Sequence, residues 1–266
     1  MPRTIAGTRT KAGTRTLAGA RGLTGDIGNV VTNGLVGYWK MDEILNSWNG
    51  TSGEVKDSSG NNNNGTDSGF SSNSPVAGKF GNAGSFSGTH VVTVTHATSI
   101  NNLTNLTYNI WMYPTAIPLV SVPERLFDKS TGNTGPVVYY INGQTVNVTT
   151  YWTTTNPYTT TRSPMSIVPL NTWTMLTLTF NGTTAKWDIY LNGVKALYPI
   201  TGGQVAGVGT PIDDSGAYLY IGNSGVGGNR AFIGSLDDVR IYNRALSASE
   251  VQQLYLSSGV ARSVVT

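Results

Sequence analysis

The chain has 266 residues, enough for one large domain, and 12% of them are charged, about half the proportion usual in globular proteins. It contains 33 glycines and no cysteine, which excludes disulfide bonds and leaves core burial, with any bound metal, to hold the fold. The net charge of +3 is small, and no run of about eighteen apolar residues occurs, so the sequence predicts no membrane-spanning helix.

Residues 1–33 form a basic segment rich in glycine and threonine, which we call the arm. Arginine recurs in it with a period of six, and an even period suits an extended chain, whose side chains alternate from one side to the other. Five of the 17 basic residues fall in the arm, and without these five the chain has 12 basic against 14 acidic residues. The residues predicted to dock on a neighbouring subunit are Arg3, Ile5, Arg9, Lys11, Arg15, Leu17, Arg21 and Leu23.

The arm has two other interpretations. It is compatible with a flexible linker, and it is compatible with a tail that binds nucleic acid through phosphate contacts. Nucleic acid is disfavoured because the arm has no aromatic residue and few charges. The arm also lacks the apolar region of a signal peptide, so we expect no cleavable signal.

From residue 34 onward, short apolar or alternating runs are separated by turn signals. Asn142-Gly143 and Asn192-Gly193 each stand between two strand-like runs, which is a strong hairpin signal. Many short strands with regular turns predict a β-sandwich or jelly roll. Near the end, Ser247 precedes Glu250 by three residues, a capping box that predicts one short helix.

Several segments in order resemble one known family. They include "GLVGYWKMDE" (34–43), "VKDSSGNNNNGT" (55–66), "GKFGNAGSFSG" (78–88) and "FIGSLDDVRIYNRALSASEVQQLY" (232–255). Over residues 34–257 the chain resembles the concanavalin A-like lectin/glucanase superfamily in its laminin-G-like (LamG) branch. The resemblance implies an all-β fold: one two-sheet antiparallel jelly-roll domain over residues 34–266, with its first and last strands side by side. The family includes sugar-binding, adhesion and structural proteins as well as some glycosidases, so the fold alone does not define the function.

The arrangement of acidic residues disfavours an enzyme. Retaining glycosidases need two carboxylates about 5 Å apart, as residues on one face of a strand would supply. The adjacent pairs Asp42–Glu43, Asp213–Asp214 and Asp237–Asp238 would point to opposite faces instead. With two histidines and no cysteine, nucleophile–base pairs are scarce. The sequence therefore predicts a protein without catalytic activity.

Calcium is the cofactor that the resemblance implies, since family members often carry it at the rim of the sandwich. The matching positions are Asp57, in a loop rich in side-chain oxygens, and Asp237, with Asp42 or its neighbour Glu43 as a further ligand. The alternative is that Asp57 only organises an asparagine-rich turn.

Sugar binding would require exposed aromatic rings beside polar side chains. The candidates in loop-like polar segments are Trp48, Tyr151, Trp152 and Tyr158. Four other tryptophans lie in or beside strand-like runs and are predicted to pack in the core: Trp39, Trp111, Trp173 and Trp187.

The sequence predicts a non-enzymatic structural or assembly protein that forms homo-oligomers. The partners expected are capsid, tail or filament subunits contacted by the arm, with the LamG-like domain displayed outward and able to bind glycans. This would make it a virion component, such as a phage capsid-decoration or tail protein, or part of a surface filament. The alternative is a secreted or cell-surface carbohydrate-binding or adhesion module with a linker-like N-terminus.

Overall fold

A computed structural model describes residues 32–69, 74–119, 121–154, 158–164, 167–198, 203–225 and 230–258. The arm residues predicted to dock on a partner lie outside the described residues, namely Arg3, Ile5, Arg9, Lys11, Arg15, Leu17, Arg21 and Leu23.

The described residues form fifteen β-strands and a C-terminal helix. The strands are β1 (Leu35–Trp39), β2 (Gly65–Ser68), β3 (Val76–Ala77), β4 (Asn82–Phe86), β5 (Val91–Val94), β6 (Leu106–Pro114), β7 (Glu124–Asp128), β8 (Val137–Ile141), β9 (Thr145–Tyr151), β10 (Tyr158–Arg162), β11 (Thr174–Asn181), β12 (Lys186–Leu191), β13 (Val194–Lys195), β14 (Leu219–Ile221) and β15 (Gly234–Tyr242). The helix is α1 (Ala248–Ser258).

The strands form two antiparallel sheets packed as a sandwich, which confirms the predicted all-β fold. An eight-stranded sheet has the order β13-β12-β11-β6-β15-β4-β3, with β1 also paired to β15. A seven-stranded sheet has the order β10-β9-β8-β7-β14-β5-β2. The pairing of β1 with β15, from Leu35 opposite Tyr242 to Trp39 opposite Val239, confirms that the first and last strands are neighbours.

The main core lies between the two sheets. Leu176, Leu178 and Phe180 alternate along β11 and all point into this core. Met175, the residue before Leu176 in β11, points to the other side of the sheet. It belongs to a second buried cluster, together with Leu254 of α1. The eight-stranded sheet is therefore buried on both faces beneath the helix, which explains why both sides of β11 are buried.

The tryptophans that the sequence assigned to the core are found there. Trp39 and Trp187 lie in the main core, Trp111 lies in the cluster under α1, and Trp173 packs against that cluster while partly exposed. Each buried indole covers a large apolar area, so these residues contribute strongly to the stability of the sandwich.

The local signals for turns and for the helix start are also found. Asn192 and Gly193 both have positive φ, 48° and 80°, as a two-residue hairpin turn requires. At the other hairpin the positive φ values fall on Gly143 and Gln144, because the loop has one residue more. The capping box is present, with the Ser247 amide donating to Glu250 Oε2 at 2.7 Å and the Glu250 amide donating to Ser247 Oγ at 3.3 Å.

In the part of the chain that the structure describes, no helix has the length and apolar character to cross a membrane.

Candidate functional site

A cleft of about 640 Å³, which we call the end cleft, opens between the two sheets at one end of the sandwich. Its walls are built where β6, β8 and β12 begin and where β9 and β11 end, together with the segment 209–214. Its volume falls in the range of ligand pockets, roughly 300–1,000 Å³.

Three aromatic side chains form the floor of the end cleft. The ring centroids of Phe180 and Trp187 are 5.1 Å apart, and those of Trp152 and Phe180 are 6.2 Å apart. Each indole N–H is satisfied, because Trp187 Nε1 donates to Thr150 Oγ1 at 2.8 Å and Trp152 Nε1 donates to Thr159 Oγ1 at 2.9 Å. The floor is therefore apolar and held in place.

The polar rim of the end cleft is fixed by reciprocal hydrogen bonds between two loops. The Asn102 amide donates to Asp214 Oδ1 at 2.7 Å, and the Asp214 amide donates to Asn102 Oδ1 at 2.9 Å. Asn102 Nδ2 also donates to Asp213 Oδ1 at 2.8 Å. Lys129, only 1% exposed, donates to the Asp214 carbonyl at 3.1 Å and to Asn101 Oδ1 at 2.9 Å. The rim is thus rigid although its parts are distant in sequence.

The two aspartates of the rim differ in what they can offer a ligand. Hydrogen bonds from Ser215 lower the pKa of the exposed Asp213 to about 2, so its carboxylate is ionised at neutral pH. Burial raises the pKa of Asp214, whose carboxylate accepts from Asn102 and faces Lys129 at 3.5 Å. The Asp213 carboxylate therefore faces solvent and can accept hydrogen bonds from a ligand. The Asp214 carboxylate instead holds its own loop against Asn102 and Lys129.

The chemistry of the end cleft suits a neutral, hydroxyl-bearing ring. An apolar floor can pack against the carbon face of such a ring, and the rim provides carboxylate, amide and hydroxyl groups from Asn102, Thr104, Asn105, Thr183 and Asp213. Among the described residues that line the cleft, none is basic.

The four aromatic residues predicted to bind glycans do not form one site. Trp152 lies in the floor of the end cleft, whereas Trp48 is 3% exposed in the main core and its Nε1 donates to Glu43 Oε2 at 3.3 Å. The expectation that Trp48 and Trp152 are exposed is wrong, because both indoles are buried and both N–H groups are satisfied within the fold. Tyr151 and Tyr158 lie side by side on the seven-stranded sheet, with ring centroids 6.2 Å apart.

The carboxylate of Asp57 is occupied by hydrogen bonds within the chain. Its Oδ1 accepts from the amides of Tyr38 at 2.9 Å and Ser59 at 2.8 Å, and its Oδ2 accepts from the Asn63 amide at 2.9 Å and from Ser59 Oγ at 2.8 Å. This is the geometry of an Asx turn that joins the asparagine-rich loop to β1.

Asp42 and Asp237 both approach the loop of residues 78–82. Asp42 Oδ1 accepts from the Asn82 amide at 3.0 Å, and Asp237 Oδ2 accepts from the Phe80 amide at 2.9 Å. Among the described residues, none donates a hydrogen bond to the buried Oδ1 of Asp237. Burial, together with the charges of Asp238 and Asp42, raises the pKa of Asp237 to about 8. Two of the three predicted calcium ligands are thus brought together.

No cluster of three or more His, Asp or Glu side chains that could hold a metal occurs within the described ranges. A cation beside Asp42 and Asp237 would therefore need backbone carbonyls or water to complete its oxygen ligands.

Several residues of the end cleft were not predicted as site residues. Asn102 and Asp213 are 111 residues apart, and no local pattern signals their contact. Phe180 and Trp187 belong to the main core, so their position at the open end of the sandwich depends on where β11 ends and β12 begins. An exposed, doubly acidic turn followed by serine, at 213–215, is the signal that could have indicated the rim.

Comparison with known proteins identifies the family of the fold. A family model described as the concanavalin A-like lectin/glucanases superfamily matches residues 86–252. Among curated proteins, none matches the chain.

Solved structures with the same fold include binding domains of toxins and a domain of an arabinanase. The binding domain of Paraclostridial mosquitocidal protein 1 is 20% identical with a TM-score of 0.63, over 84% of this chain and 52% of that one. Domain 4 of AbnA, an extracellular arabinanase from Geobacillus stearothermophilus, in complex with arabinotriose, is 19% identical with a TM-score of 0.61, over 83% of this chain and 98% of that one. The receptor-binding domain of botulinum neurotoxin mosaic serotype C/D is 14% identical with a TM-score of 0.62, over 85% of this chain and 51% of that one.

These identities are low, so the comparison establishes a shared fold. The chain spans about half the length of the two toxin domains and nearly the whole length of the arabinanase domain.

Proposed function

We propose that this chain, which belongs to the concanavalin A-like lectin/glucanase superfamily, is a non-catalytic module that binds a neutral sugar in the end cleft. The observation that carries the proposal is the combination of an apolar aromatic floor with a rigid rim of hydrogen-bonding groups in a cavity of about 640 Å³. The arabinotriose complex of the arabinanase domain supports the choice of ligand class, because that domain has the same fold.

The roles of the rim carboxylates support binding without catalysis. Glycoside hydrolysis requires two carboxyl groups available to the substrate. In the end cleft, Asp213 is exposed, whereas Asp214 is held by the Asn102 amide and by the buried Lys129 ammonium. A single available carboxylate can orient a hydroxyl group but cannot supply both the acid and the nucleophile.

Filling the mouth of the cleft tests the proposal. Thr183 is exposed and lines the end cleft, so Thr183→Trp should block entry without disturbing the core. Thr184→Trp is the matched control, since Thr184 is exposed beside it but does not line the cleft. The probes are arabinotriose, xylotriose, cellotriose and maltotriose in isothermal titration calorimetry, after an array of neutral oligosaccharides.

We expect the wild type and Thr184→Trp to bind at least one neutral oligosaccharide with equal affinity, and Thr183→Trp to bind it at least about tenfold more weakly. Full affinity in Thr183→Trp would place the sugar elsewhere, and an array without any neutral binder would refute the proposal.

We also propose that Asp42 and Asp237 hold a calcium ion, with Asp57 outside the ligand set. The buried Oδ1 of Asp237 supports this, since a divalent cation would satisfy an oxygen that no described donor reaches. When bound, the ion would neutralise the two carboxylates and link the start of the chain's jelly roll to β15.

Calcium titration of the unfolding temperature tests this site. Wild-type protein freed of metal by a chelator should gain thermal stability when calcium chloride is added, because the ion binds only the folded chain. Asp237→Asn should lose the gain, and Asp57→Asn should keep it although its folded state is weakened. Equal behaviour of wild type and Asp237→Asn would overturn the assignment.

A second candidate function concerns the arm. The six-residue repeat favours docking on protein, because its alternating Arg and aliphatic residues suit an extended strand laid along a sheet edge. We propose on this ground that the arm joins the chain to neighbouring subunits of a virion, such as a phage capsid or tail, or of a surface filament, with the sugar-binding domain facing outward.

Deletion of residues 2–25 separates this role from the alternative of a secreted or cell-surface module with a linker. Light scattering after size-exclusion chromatography should show a defined oligomer for the full chain and a folded monomer for the deletion variant. A monomeric full chain, or unchanged assembly of the variant, would favour the alternative.

A further inference from the structure

The outward face of the seven-stranded sheet carries a row of polar and aromatic side chains across four strands. Residues that pair across strands share one face, so the register defines the row: Arg125 lies opposite Tyr139, Tyr139 opposite Asn147, and Asn147 opposite Arg162. Tyr151 and Tyr158 form a second pair on the same face, four residues along β9 and β10 from the pair of Asn147 and Arg162. We call these six residues the tyrosine face.

The tyrosine face points away from the core. Its members alternate along the strands with buried residues such as Val138, Val146 and Val148, which belong to the main core. Successive side chains of a strand point to opposite faces, so Tyr139, Asn147 and Tyr151 face outward. The face is distinct from the end cleft, because none of its residues lines that cavity.

Arg125 lies on the central strand of the sheet, and two of its donors have no acceptor among the described residues. Its guanidinium carbon lies 4.0 Å from the Tyr139 ring centroid, and its Nε lies 3.4 Å from Asp128 Oδ2. The Asp128 carboxylate also accepts two hydrogen bonds from Ser130. The Ser130 amide and hydroxyl donate to Asp128 Oδ1 at 3.1 and 2.6 Å. Among the described residues, none accepts a hydrogen bond from the buried Nε and Nη1 of Arg125.

The balance of charge around Arg125 is positive. Arg230 interacts electrostatically with Arg125, and Arg162 adds an exposed positive charge three strands away, on the edge strand β10. Burial lowers the pKa of Arg125, and the charge of Arg230 lowers it further. Asp128 is the carboxylate that faces the Arg125 guanidinium. Because its single negative charge stands against the two arginines Arg125 and Arg230, a bound anion would be stabilised beside Arg125.

Asn147 adds a second unused group beside the arginines. Its Oδ1 is buried, and in the described part of the chain no donor reaches it. Arginine donors, an amide acceptor and two outward tyrosine rings together match a ring that carries hydroxyl groups and a carboxylate.

We propose that the tyrosine face is a second binding site, for acidic sugars, in which Arg125 and Arg162 bind sugar carboxylates while Asn147 accepts from a hydroxyl group and Tyr151 and Tyr158 pack against the rings. The site is independent of the sugar site in the end cleft. Hexuronates and sialic acids share the carboxylated ring, so the experiment includes both sources.

Paired probes test the role of the carboxylate. The probes are oligogalacturonate and a sialylated trisaccharide, each beside its carboxyl-reduced counterpart, measured by isothermal titration calorimetry at low and moderate salt. We expect at least one acid to bind, its reduced counterpart to bind roughly tenfold more weakly, and added salt to weaken the binding.

Variants separate the tyrosine face from other surfaces. Arg162→Gln and Tyr158→Ala change exposed side chains, so both should fold like the wild type, and each should weaken acid binding by about tenfold. Arg125→Lys keeps the charge but loses the planar donors, and should weaken binding similarly. Lys186→Gln is the control, because it removes an exposed positive charge from the opposite sheet and should leave affinity within about twofold.

The outcomes are distinct from those of the end cleft. Thr183→Trp should leave the binding of acidic sugars unchanged. If this variant lost that binding, the acidic sugar would be assigned to the end cleft. Equal binding of acid and reduced probes, or no acidic binder, would overturn the proposal. Tighter binding of a single-stranded oligouridylate than of either acid would identify the face as a nucleic-acid site and refute the sugar assignment.

Discussion

At the scale of single residues, Glu124 is a buried carboxyl group that forms no ion pair with any cation of the described ranges. It is 3% exposed at the start of β7, and its Oε2 accepts from the Ile233 amide at 3.2 Å. Burial raises its pKa from 4.5 to about 7. Because the folded state holds the proton more tightly than the unfolded state, the stability due to this group is complete below pH 4.5 and is lost as the pH rises to about 7.

Glu124→Gln should remove this pH dependence, since glutamine keeps the shape and the acceptor but does not ionise. Between pH 4.5 and 7, the free energy of unfolding of the wild type should fall relative to the variant by at most about 1.4 kcal/mol per pH unit. Urea denaturation at a series of pH values measures the difference. Asp188→Asn, at a partly exposed carboxylate paired with Lys195 at 2.8 Å, is the control. Parallel curves for wild type and Glu124→Gln would contradict the prediction.

At the residue scale, the sequence predicts interactions between residues that are close in the chain better than interactions between residues that are distant in it. The turn at Asp57 uses Ser59 and Asn63, a few residues away, and the sequence left that interpretation open beside calcium. The burial of Trp48 and Trp152 depends on strands distant in the chain, so a polar sequence neighbourhood misrepresents it. The turn role of Asp57 is predictable because its partners are local, whereas the rim of the end cleft is not, because loops 101–105 and 213–217 meet only in the fold.

At the scale of elements, helix α1 combines a local start signal with a tertiary contact. Glu250 closes the capping box and pairs with Arg244 Nη1 at 2.9 Å, while Val251 and Leu254 cover Trp111 and Met175 on the outside of the eight-stranded sheet. The sequence predicted the helix from its cap. It could not predict that the helix buries the second face of β11, because that contact depends on the return of the chain after β15.

Two substitutions in and before the helix should differ in cost. Ser247→Ala removes the cap acceptor and should lower the free energy of unfolding by about 1 kcal/mol. Leu254→Ala leaves a cavity in the cluster under α1 and should lower it by about 2–5 kcal/mol. Gln252→Ala, at an exposed helical position, should cost nothing measurable. Urea denaturation ranks the three, and an equal cost for Ser247→Ala and Leu254→Ala would mean that packing of the helix contributes little.

At the scale of the whole molecule, a buried polar cluster joins the first and last strands of the sandwich. Tyr38 of β1 donates to Asp238 Oδ1 at 2.6 Å and accepts from Arg240 Nη2 at 3.1 Å, and the same nitrogen lies 2.8 Å from Asp238 Oδ2. Asp238 sits at a β-bulge with φ 53°, a conformation that aspartate and asparagine tolerate better than most residues. The cluster therefore links first and last strands through side chains as well as through the backbone.

Asp238→Asn should destabilise the whole sandwich, because it leaves the Arg240 guanidinium buried without its anion. The expected loss is about 3–5 kcal/mol in urea denaturation, with near-ultraviolet circular dichroism to verify the native fold before unfolding. Tyr38→Phe removes a hydrogen bond but no charge, so it should cost less, about 1–2 kcal/mol. If Asp238→Asn lowered the free energy of unfolding by less than Tyr38→Phe does, the ion pair between Asp238 and Arg240 would add nothing to the link between β1 and β15.

The place of β15 in the sheet has a consequence for synthesis of the chain. This strand pairs with β1, β4 and β6, yet it follows all the other described strands in the order of translation. During translation, β1 and one edge of both β4 and β6 remain unpaired until β15 has been synthesised. Unpaired strand edges of this kind can pair with other nascent chains. The eight-stranded sheet can therefore close only after residue 242 has left the exit tunnel, so we expect newly made chains to depend on chaperones until that moment.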